Sequence, residues 1–224
     1  SNVRANQTAG FSIVSWTGTG SATTVGHGLG KKPNMIMIKN RDSVVNWVVY
    51  HNDVGFNGIF LNTADDRDIV GASQYWNDAA HTSTIFNVNT NTGVNGNGNN
   101  MIAYCFADVP GYSQFGMFQG NADADGSLIN LGFKPAFFMT KTITTEQGWG
   151  LFDSARSPYN VMQASLQPNT ADAEYTHSSA RIDFLSNGVK MRGSYGPTNE
   201  GATNIMYMAF AEHPFAGTTP ATAR

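Results

Sequence analysis

Residues 29–50 read LGKKPNMIMIKNRDSVVNWVVY, and a related stretch, LGFKPAFFMTKTITTEQGWGLF, occupies residues 131–152. In each copy a segment with Gly and Pro precedes an apolar run, a polar turn and a second run that carries a tryptophan. A short apolar run bounded by turn residues is consistent with a strand that is covered on both faces. The positions that recur are Leu29/Leu131, Gly30/Gly132, Lys32/Lys134, Pro33/Pro135, Met37/Met139, Lys39/Lys141 and Trp47/Trp149.

The repetition continues along the chain. Residues 95–110, NGNGNNMIAYCFADVP, align with residues 199–214, NEGATNIMYMAFAEHP, and no segment has the sustained 3.6-residue period of a long helix. We therefore predict an all-β protein of two tandem, homologous β-sandwich or jelly-roll-like units, packed with almost no linker. The predicted parts are a connector at 1–9, a first repeat at 10–110, a second repeat at 111–216 and a polar tail at 217–224.

The composition restricts the class of protein. Charged residues make up 13% of the 224 residues and the formal net charge is −3, whereas soluble proteins average about 25% charged residues. No basic run is present, which predicts no nucleic-acid partner, and no apolar stretch approaches the roughly 20 residues of a membrane-spanning helix. Cys105, the single cysteine, is expected to be a small core residue. The chain begins at Ser1 and is expected to be a trimmed piece of a longer protein.

The repeat also separates structural from functional candidates. Residues that both copies share are most simply explained by the common fold, and residues found in one copy are where a site is sought. Trp47 and Trp149 are therefore predicted to anchor the two cores. Lys39 and Lys141 are predicted to be solvated strand ends.

Motifs of known enzyme classes are missing. The sequence has no GxSxG, HExxH, Walker or CxxC pattern, and its five histidines show no metal-ligand spacing. Glycoside hydrolysis would need two carboxyl groups facing each other across a groove, and the sequence singles out no such pair. We expect a non-enzymatic protein.

One loop is a candidate calcium site. Asn121, Asp123 and Asp125 place side-chain oxygens at alternate positions before Gly126, as the opening of a calcium loop does. The twelfth position is Gly132 rather than the glutamate of that pattern, and an ordinary Asp-Gly turn is the alternative. We predict no cofactor, with calcium as the one candidate.

The strongest ligand-binding candidates are aromatic. Tyr75, Trp76 and Asn77 are consecutive in a polar stretch without a counterpart in the other copy. Aromatic rings stack on the C–H faces of sugars, and amides hydrogen-bond sugar hydroxyls. The alternative is a tryptophan that anchors its own loop. Tyr159, within the sequence RSPYN, is a similar candidate.

Several segments together resemble a known family. They are GFSIVSWTGTG (10–20), VGHGLGKKP (25–33), NWVVYH (46–51), MIAYCFADVPGYSQFG (101–116), FKPAFFMTK (133–141), IDFLSNGVKMR (182–192) and MYMAFAEHPF (206–215). They resemble a tandem β domain at the C-terminal ends of tail-fibre and related structural proteins of tailed phages of the marine and cyanophage type. The resemblance implies a virion location, assembly into a homo-oligomer, with a trimer expected, and contact with other virion proteins. It supplies no catalytic residue.

These observations lead to one expected function and two alternatives. We expect a virion appendage domain that attaches to the host surface, by binding a cell-surface glycan, without catalysis. The first alternative is a purely structural virion module, such as a decoration or connector protein that assembles with copies of itself. The second is a polysaccharide depolymerase.

Overall fold

The structure is a computed structural model that describes residues 1–67 and 72–213. The predicted tail, 217–224, and residues 214–216 of the predicted second repeat lie outside the described residues. The protein is all-β, and the described part contains antiparallel sheets and three short helices. The strands are β1 (Asn2–Asn6), β2 (Phe11–Thr17), β3 (Thr23–Gly26), β4 (Met35–Asn40), β5 (Val48–His51), β6 (Gly55–Phe60), β7 (Ile85–Val88), β8 (Asn100–Phe106), β9 (Ser113–Gln119), β10 (Leu128–Asn130), β11 (Pro135–Thr142), β12 (Trp149–Asp153), β13 (Ala164–Ser165), β14 (Tyr175–Thr176), β15 (Ile182–Leu185), β16 (Gly188–Met191) and β17 (Asn204–Ala211). The helices are α1 (Ala72–Trp76), α2 (Thr92–Asn95) and α3 (Gly196–Asn199).

The chain divides into two compact units. The first comprises Ser1–Asn62 and Arg67–Val109, and the second takes in Thr63–Asp66 together with the chain from Pro110 onward. The boundary expected from the sequence, between residues 110 and 111, lies one residue from this division.

The first unit is a β-sandwich-like arrangement of two sheets. The larger sheet has the strand order β1-β2-β8-β4-β5-β6, and the smaller pairs β3 with β7. Val25 of β3 and Phe86 of β7 belong to one buried cluster with Ile36 and Ala103 of the larger sheet. Burial of apolar side chains between the two layers is worth about 25 cal/mol for each Å² removed from water.

The second unit repeats this plan with fewer strands in its main sheet. That sheet has the order β12-β11-β17-β9, and a three-stranded sheet has the order β10-β16-β15. Ile129 and Val189 of the smaller sheet are buried with Phe138 and Phe152 of the larger. The pairing register is shared as well, because Met35 faces Phe106 in the first unit and Phe137 faces Phe210 at the corresponding positions of the second.

The turn after the first strand of each repeat is also shared. Gly18 follows β2 and Gly120 follows β9, and a Cβ atom at either position would lie 2.1 Å from a backbone oxygen, that of Gly96 or that of Glu200. Glycine is therefore required there, since no side chain fits so close an approach of two main chains.

The predicted connector at 1–9 is wrong in its first part. Asn2–Asn6 form β1, which pairs antiparallel with β2 from Asn2 opposite Ser15 to Asn6 opposite Phe11. The segment reads as polar because it is an edge strand whose side chains are mostly exposed.

The repeated lysines are not solvated strand ends. Lys141 is fully buried, and its ammonium group donates to the backbone oxygens of Thr142 at 2.6 Å and Ala64 at 3.4 Å. Burial lowers the pKa of Lys141 to about 8, against the opposing effects of Asp66 and Asp65. Lys39 is half-buried and donates to carbonyls of its own turn.

The two repeated tryptophans differ in burial. Trp149 is 1% exposed and lies in the core, as predicted. Trp47 is half-buried, and its ring stacks on Tyr104 with ring centroids 6.2 Å apart.

Candidate functional site

Tyr75 and Trp76 lie in the core of the first unit rather than at its surface. They end α1, and their exposed fractions are 7% and 0%. The Trp76 indole donates to the backbone oxygen of Asn57 at 3.2 Å and packs edge-on against Tyr50, with ring centroids 5.5 Å apart. The alternative of an anchoring tryptophan is therefore correct, because the short helix turns both rings toward the core of the first unit.

Asn77, the third residue of this candidate, is exposed just after α1. Its φ of 56° lies in the left-handed region, which asparagine tolerates better than most residues. With Trp76 and Tyr75 buried, Asn77 has neither of the neighbouring rings exposed beside it, and this position does not form the predicted sugar site.

Tyr159 is the sequence candidate that the structure places at the surface. Its side chain is 81% exposed, and it borders a cleft of about 310 Å³ in the second unit. This volume lies at the lower end of the range of about 300 to 1,000 Å³ that small-molecule sites occupy. The cleft is lined by Lys134, Ser154, Ser157, Pro158, Tyr159, Asn160, Met162, Phe184 and Glu212.

The segment that carries Tyr159 is attached through its neighbour. The Asn160 side chain donates to the backbone oxygen of Phe184 and accepts from its backbone nitrogen, both at 2.9 Å. Met162 pairs with Ile182 in an isolated β-bridge. The amide of Asn160 thus takes the place of a strand residue beside β15, and the ring of Tyr159 projects from a fixed backbone.

An ion pair forms the charged part of the cleft. Lys134 and Glu212 are 2.6 Å apart, with side chains 11% and 25% exposed. The described lining residues contribute one carboxylate, Glu212, and it is already paired. Two facing carboxyl groups, as glycoside hydrolysis requires, are therefore not present among the described residues of this cleft.

The cleft combines groups of several kinds. Tyr159 offers an aromatic face, and Met162 and Phe184 supply buried apolar surface. Ser154 and Ser157 bring hydroxyl groups that can donate and accept. Such a mixture can hold a sugar ring by stacking on one face and hydrogen bonding at its edge.

The cleft was found only in part by sequence reasoning. Tyr159 was identified, whereas Lys134 and Phe184 were missed because each lies far from it along the chain. Lys134 is a repeated residue, which argued for a structural role. Its counterpart Lys32 donates to Asn52 at 2.7 Å in the first unit, and this difference of partner is visible only in the structure.

The candidate calcium loop uses its oxygens for internal bonds. Asn121 accepts from the backbone nitrogen of Asp123 at 3.1 Å, and Asp123 accepts from that of Asp125 at 2.8 Å. Asp125 pairs with the Lys190 ammonium at 2.7 Å, and a hydrogen bond and the charge of Lys190 lower the pKa of its carboxyl. A cation is thus already in contact with Asp125, and the turn alternative fits this loop better than calcium binding.

The histidines do not form a metal centre in the described part of the chain, where no cluster of three His, Cys, Asp or Glu side chains occurs. His81 lies in the core of the first unit, 3% exposed, with its ring centroid 4.2 Å from that of Tyr50. Its Nδ1 accepts from the backbone nitrogen of Asn87 at 3.2 Å. Burial lowers the pKa of His81 to about 4, with smaller contributions from the charges of Lys32 and His27.

Comparison with known proteins gives one match. The model of the family described as "Domain of unknown function (DUF7483)" matches residues 1–214. The chain belongs to this family. The DUF7483 match covers both repeats, so the tandem pair of units falls within a single family domain.

Searches of curated proteins and of solved structures find no match. Among the described residues of this DUF7483 chain, none of the helices has the length and apolar character needed to cross a membrane.

Proposed function

We propose that this chain is a non-enzymatic attachment domain of a virion appendage, which binds a host cell-surface glycan in the cleft beside Tyr159. The observation that carries the proposal is the 81% exposed ring of Tyr159 at the edge of a cleft lined by both polar and apolar groups. Small-molecule sites are concave and combine apolar and aromatic side chains with a few polar groups that orient the ligand.

The chemistry of the cleft favours a carbohydrate over a purely apolar ligand. A pyranose presents C–H groups on its faces and hydroxyl groups around its edge, and the cleft offers one aromatic face together with serine hydroxyls and the Lys134–Glu212 pair. Both members of an ion pair can bond hydroxyls, since the ammonium donates and the carboxylate accepts.

The virion location rests on the resemblance to tail-fibre domains. In that setting the chain would form a homo-oligomer, with a trimer expected, together with other virion proteins. Several identical sites on one particle raise the overall avidity far above the affinity of one site. Under those conditions, the weak affinity of a small cleft with a single exposed ring is sufficient for attachment.

The test is binding of the purified chain to an array of bacterial surface oligosaccharides. Tyr159→Ala should lose most of the binding, because it removes the aromatic face, and Tyr159→Phe should retain it. Leu128→Ala is the matched control, since Leu128 is an apolar side chain of the same unit that is 56% exposed and does not line the cleft.

Two results would overturn the proposal. Binding that Tyr159→Ala leaves intact would place the glycan elsewhere. An assembled sample that binds no oligosaccharide of the array would favour the structural virion module instead.

A further inference from the structure

Three aromatic rings form a layer at the surface of the second unit, outside the Tyr159 cleft. The rings of Tyr175 and His177 are 5.3 Å apart between centroids and inclined by 15°. Tyr195 lies 6.2 Å from Tyr175 and 6.1 Å from His177, inclined by 34° and 32°. Tyr175 is 40% exposed, and the other two rings are half-buried.

Hydrogen bonds hold the two inner rings in place. The Tyr195 hydroxyl is bonded by the side-chain amide of Gln167. Nδ1 of His177 accepts from the backbone nitrogen of Ser179 at 3.1 Å and lies 2.5 Å from the Ser179 hydroxyl. The orientation of the layer is therefore set before any ligand arrives, which reduces the entropy lost on binding.

The first unit shows what Tyr195 replaces. The residue before α2 is Asn91, whose side chain accepts from the backbone nitrogen of Gly93 at 2.7 Å and caps the helix. The residue before α3 at the corresponding place is Tyr195, which makes no capping bond. A capping side chain stabilises the start of a helix, and that contribution is missing at α3. In its place Tyr195 puts a ring in the aromatic layer and against the core of the second unit.

An ion pair connects this layer with the Tyr159 segment. Arg156, three residues before Tyr159, lies 3.6 Å from the carboxylate of Glu174, the residue before Tyr175. Arg156 also contacts Asp153 at 2.5 Å. The two segments that carry exposed tyrosines are thus attached to each other within one unit.

We infer that Tyr175, His177 and Tyr195 form a second sugar-stacking subsite, which takes another pyranose ring of an oligosaccharide. The inference rests on the proposed function of the Tyr159 cleft. The exposed ring of Tyr175, stacked on that of His177, suits the apolar face of a sugar. The Gln167 amide and the Ser179 hydroxyl at the border of the layer suit its hydroxyl groups.

The experiment compares variants on the same array of bacterial surface oligosaccharides, including series of increasing chain length. Tyr175→Ala should weaken binding by about threefold to tenfold, the size expected for one aromatic contact. The loss should be confined to the longer members of each series. Tyr175→Phe should bind as the unmodified chain does, and Leu128→Ala again serves as the control.

A second variant distinguishes recognition from packing. Tyr195→Asn installs the residue found at position 91. Because Tyr195 also packs against the core of the second unit, this variant should lower the Tm and, in addition, weaken binding to long oligosaccharides. Val189→Ala, at a fully buried position of the same core, is the destabilised control and should lower the Tm without the loss confined to long oligosaccharides. A Tyr195 that served only packing would behave as this control does, with a lower Tm and unchanged binding.

The outcomes separate this inference from the proposed function. If Tyr159→Ala loses binding while Tyr175→Ala and Tyr195→Asn do not, the second subsite is refuted and the cleft stands. If the Tyr175 variant loses binding and the Tyr159 variant does not, the subsite is supported and the cleft assignment is refuted. Failure of the unmodified chain to bind any oligosaccharide refutes both.

Discussion

Asn199 makes in the second unit the hydrogen bonds that Asn95 makes in the first. The Asn95 side-chain oxygen accepts from the backbone nitrogen of Thr19 at 2.9 Å, and that of Asn199 accepts from Asn121 at 3.0 Å. Each amide also donates to a carbonyl two residues further along the same turn, at 2.7 Å and 3.0 Å. Both asparagines are fully buried, so the pair marks a structural element that the two repeats have in common.

Replacement of either asparagine should destabilise its own unit. Asn95→Ala and Asn199→Ala each remove the hydrogen bonds that a fully buried amide makes to the backbone of the facing turn, and we expect a loss of about 1 to 3 kcal/mol in the free energy of unfolding. Urea unfolding measures it. Asn97→Ala, at an exposed position near the first turn, is the control, and an equal loss in that variant would contradict the role assigned to the buried amides.

Substitutions at two matched positions of the repeats should change the Tm in opposite directions. Ala202 has a φ of 57°, and its counterpart Gly98 has a φ of 74° with open space around its Cα. Left-handed backbone is unfavourable for residues with a Cβ by about 1 to 2 kcal/mol. Ala202→Gly should therefore raise the Tm and Gly98→Ala should lower it in thermal unfolding. A change of the same sign in both variants would show that φ does not control stability there.

Acid should weaken the first unit through His81. Its pKa is about 4 in the folded protein and 6.5 ordinarily, so the unfolded chain binds more protons between these values. Stability is then full above about pH 6.5 and falls as the pH drops toward 4, by about 3 kcal/mol in total. The burial of His27 acts in the same direction, since it also lowers the pKa of that residue.

Urea unfolding between pH 4 and 8 measures this dependence. His81→Phe should flatten the dependence of the free energy of unfolding on pH over that window, because the phenyl ring that replaces the imidazole cannot be protonated. The control variant is His177→Gln, which removes a histidine from the second unit. A slope in His81→Phe as steep as that of the unmodified chain would contradict the assignment.

Removal of calcium should not affect the second unit. Asp123 is engaged with the backbone of Asp125, and Asp125 is paired with Lys190. We expect the same Tm with EDTA as with added calcium in thermal unfolding followed by circular dichroism. A calcium-dependent rise that Asp123→Asn abolishes would restore the loop as a metal site.

The internal repeat made the fold predictable from the sequence. A stretch that occurs twice with Met, Lys and Trp at matching positions predicted the strands β4 and β11, and its continuous apolar run indicated their burial. Side-chain environments were harder to predict. Lys141 is buried because Thr63–Asp66 belongs to the second unit and brings the Ala64 carbonyl to its ammonium, a contact between residues 77 apart in sequence.

The residues of the candidate site could be predicted only where the neighbouring sequence determines whether a side chain is buried or exposed. Trp76 was misassigned because a polar stretch looks like a loop, whereas five residues of it form α1 and turn the ring inward. Tyr159 lies at the surface, with 81% of its side chain exposed, and its role as a ligand contact stays a prediction. Tyr195 could have been found by aligning the repeats, which places a tyrosine opposite the capping Asn91.

The attachment of Asn160 to the main chain of Phe184 makes the Tyr159 segment a suitable place for engineering. Ser157, Pro158 and Tyr159 border the cleft, and none of the three supplies the amide that joins the segment to β15. A library that randomises these positions and keeps Asn160 would alter the binding surface while the main chain stays anchored. The DUF7483 domain would then serve as a scaffold for selecting binders, in the way that antibody loops are varied on a constant framework.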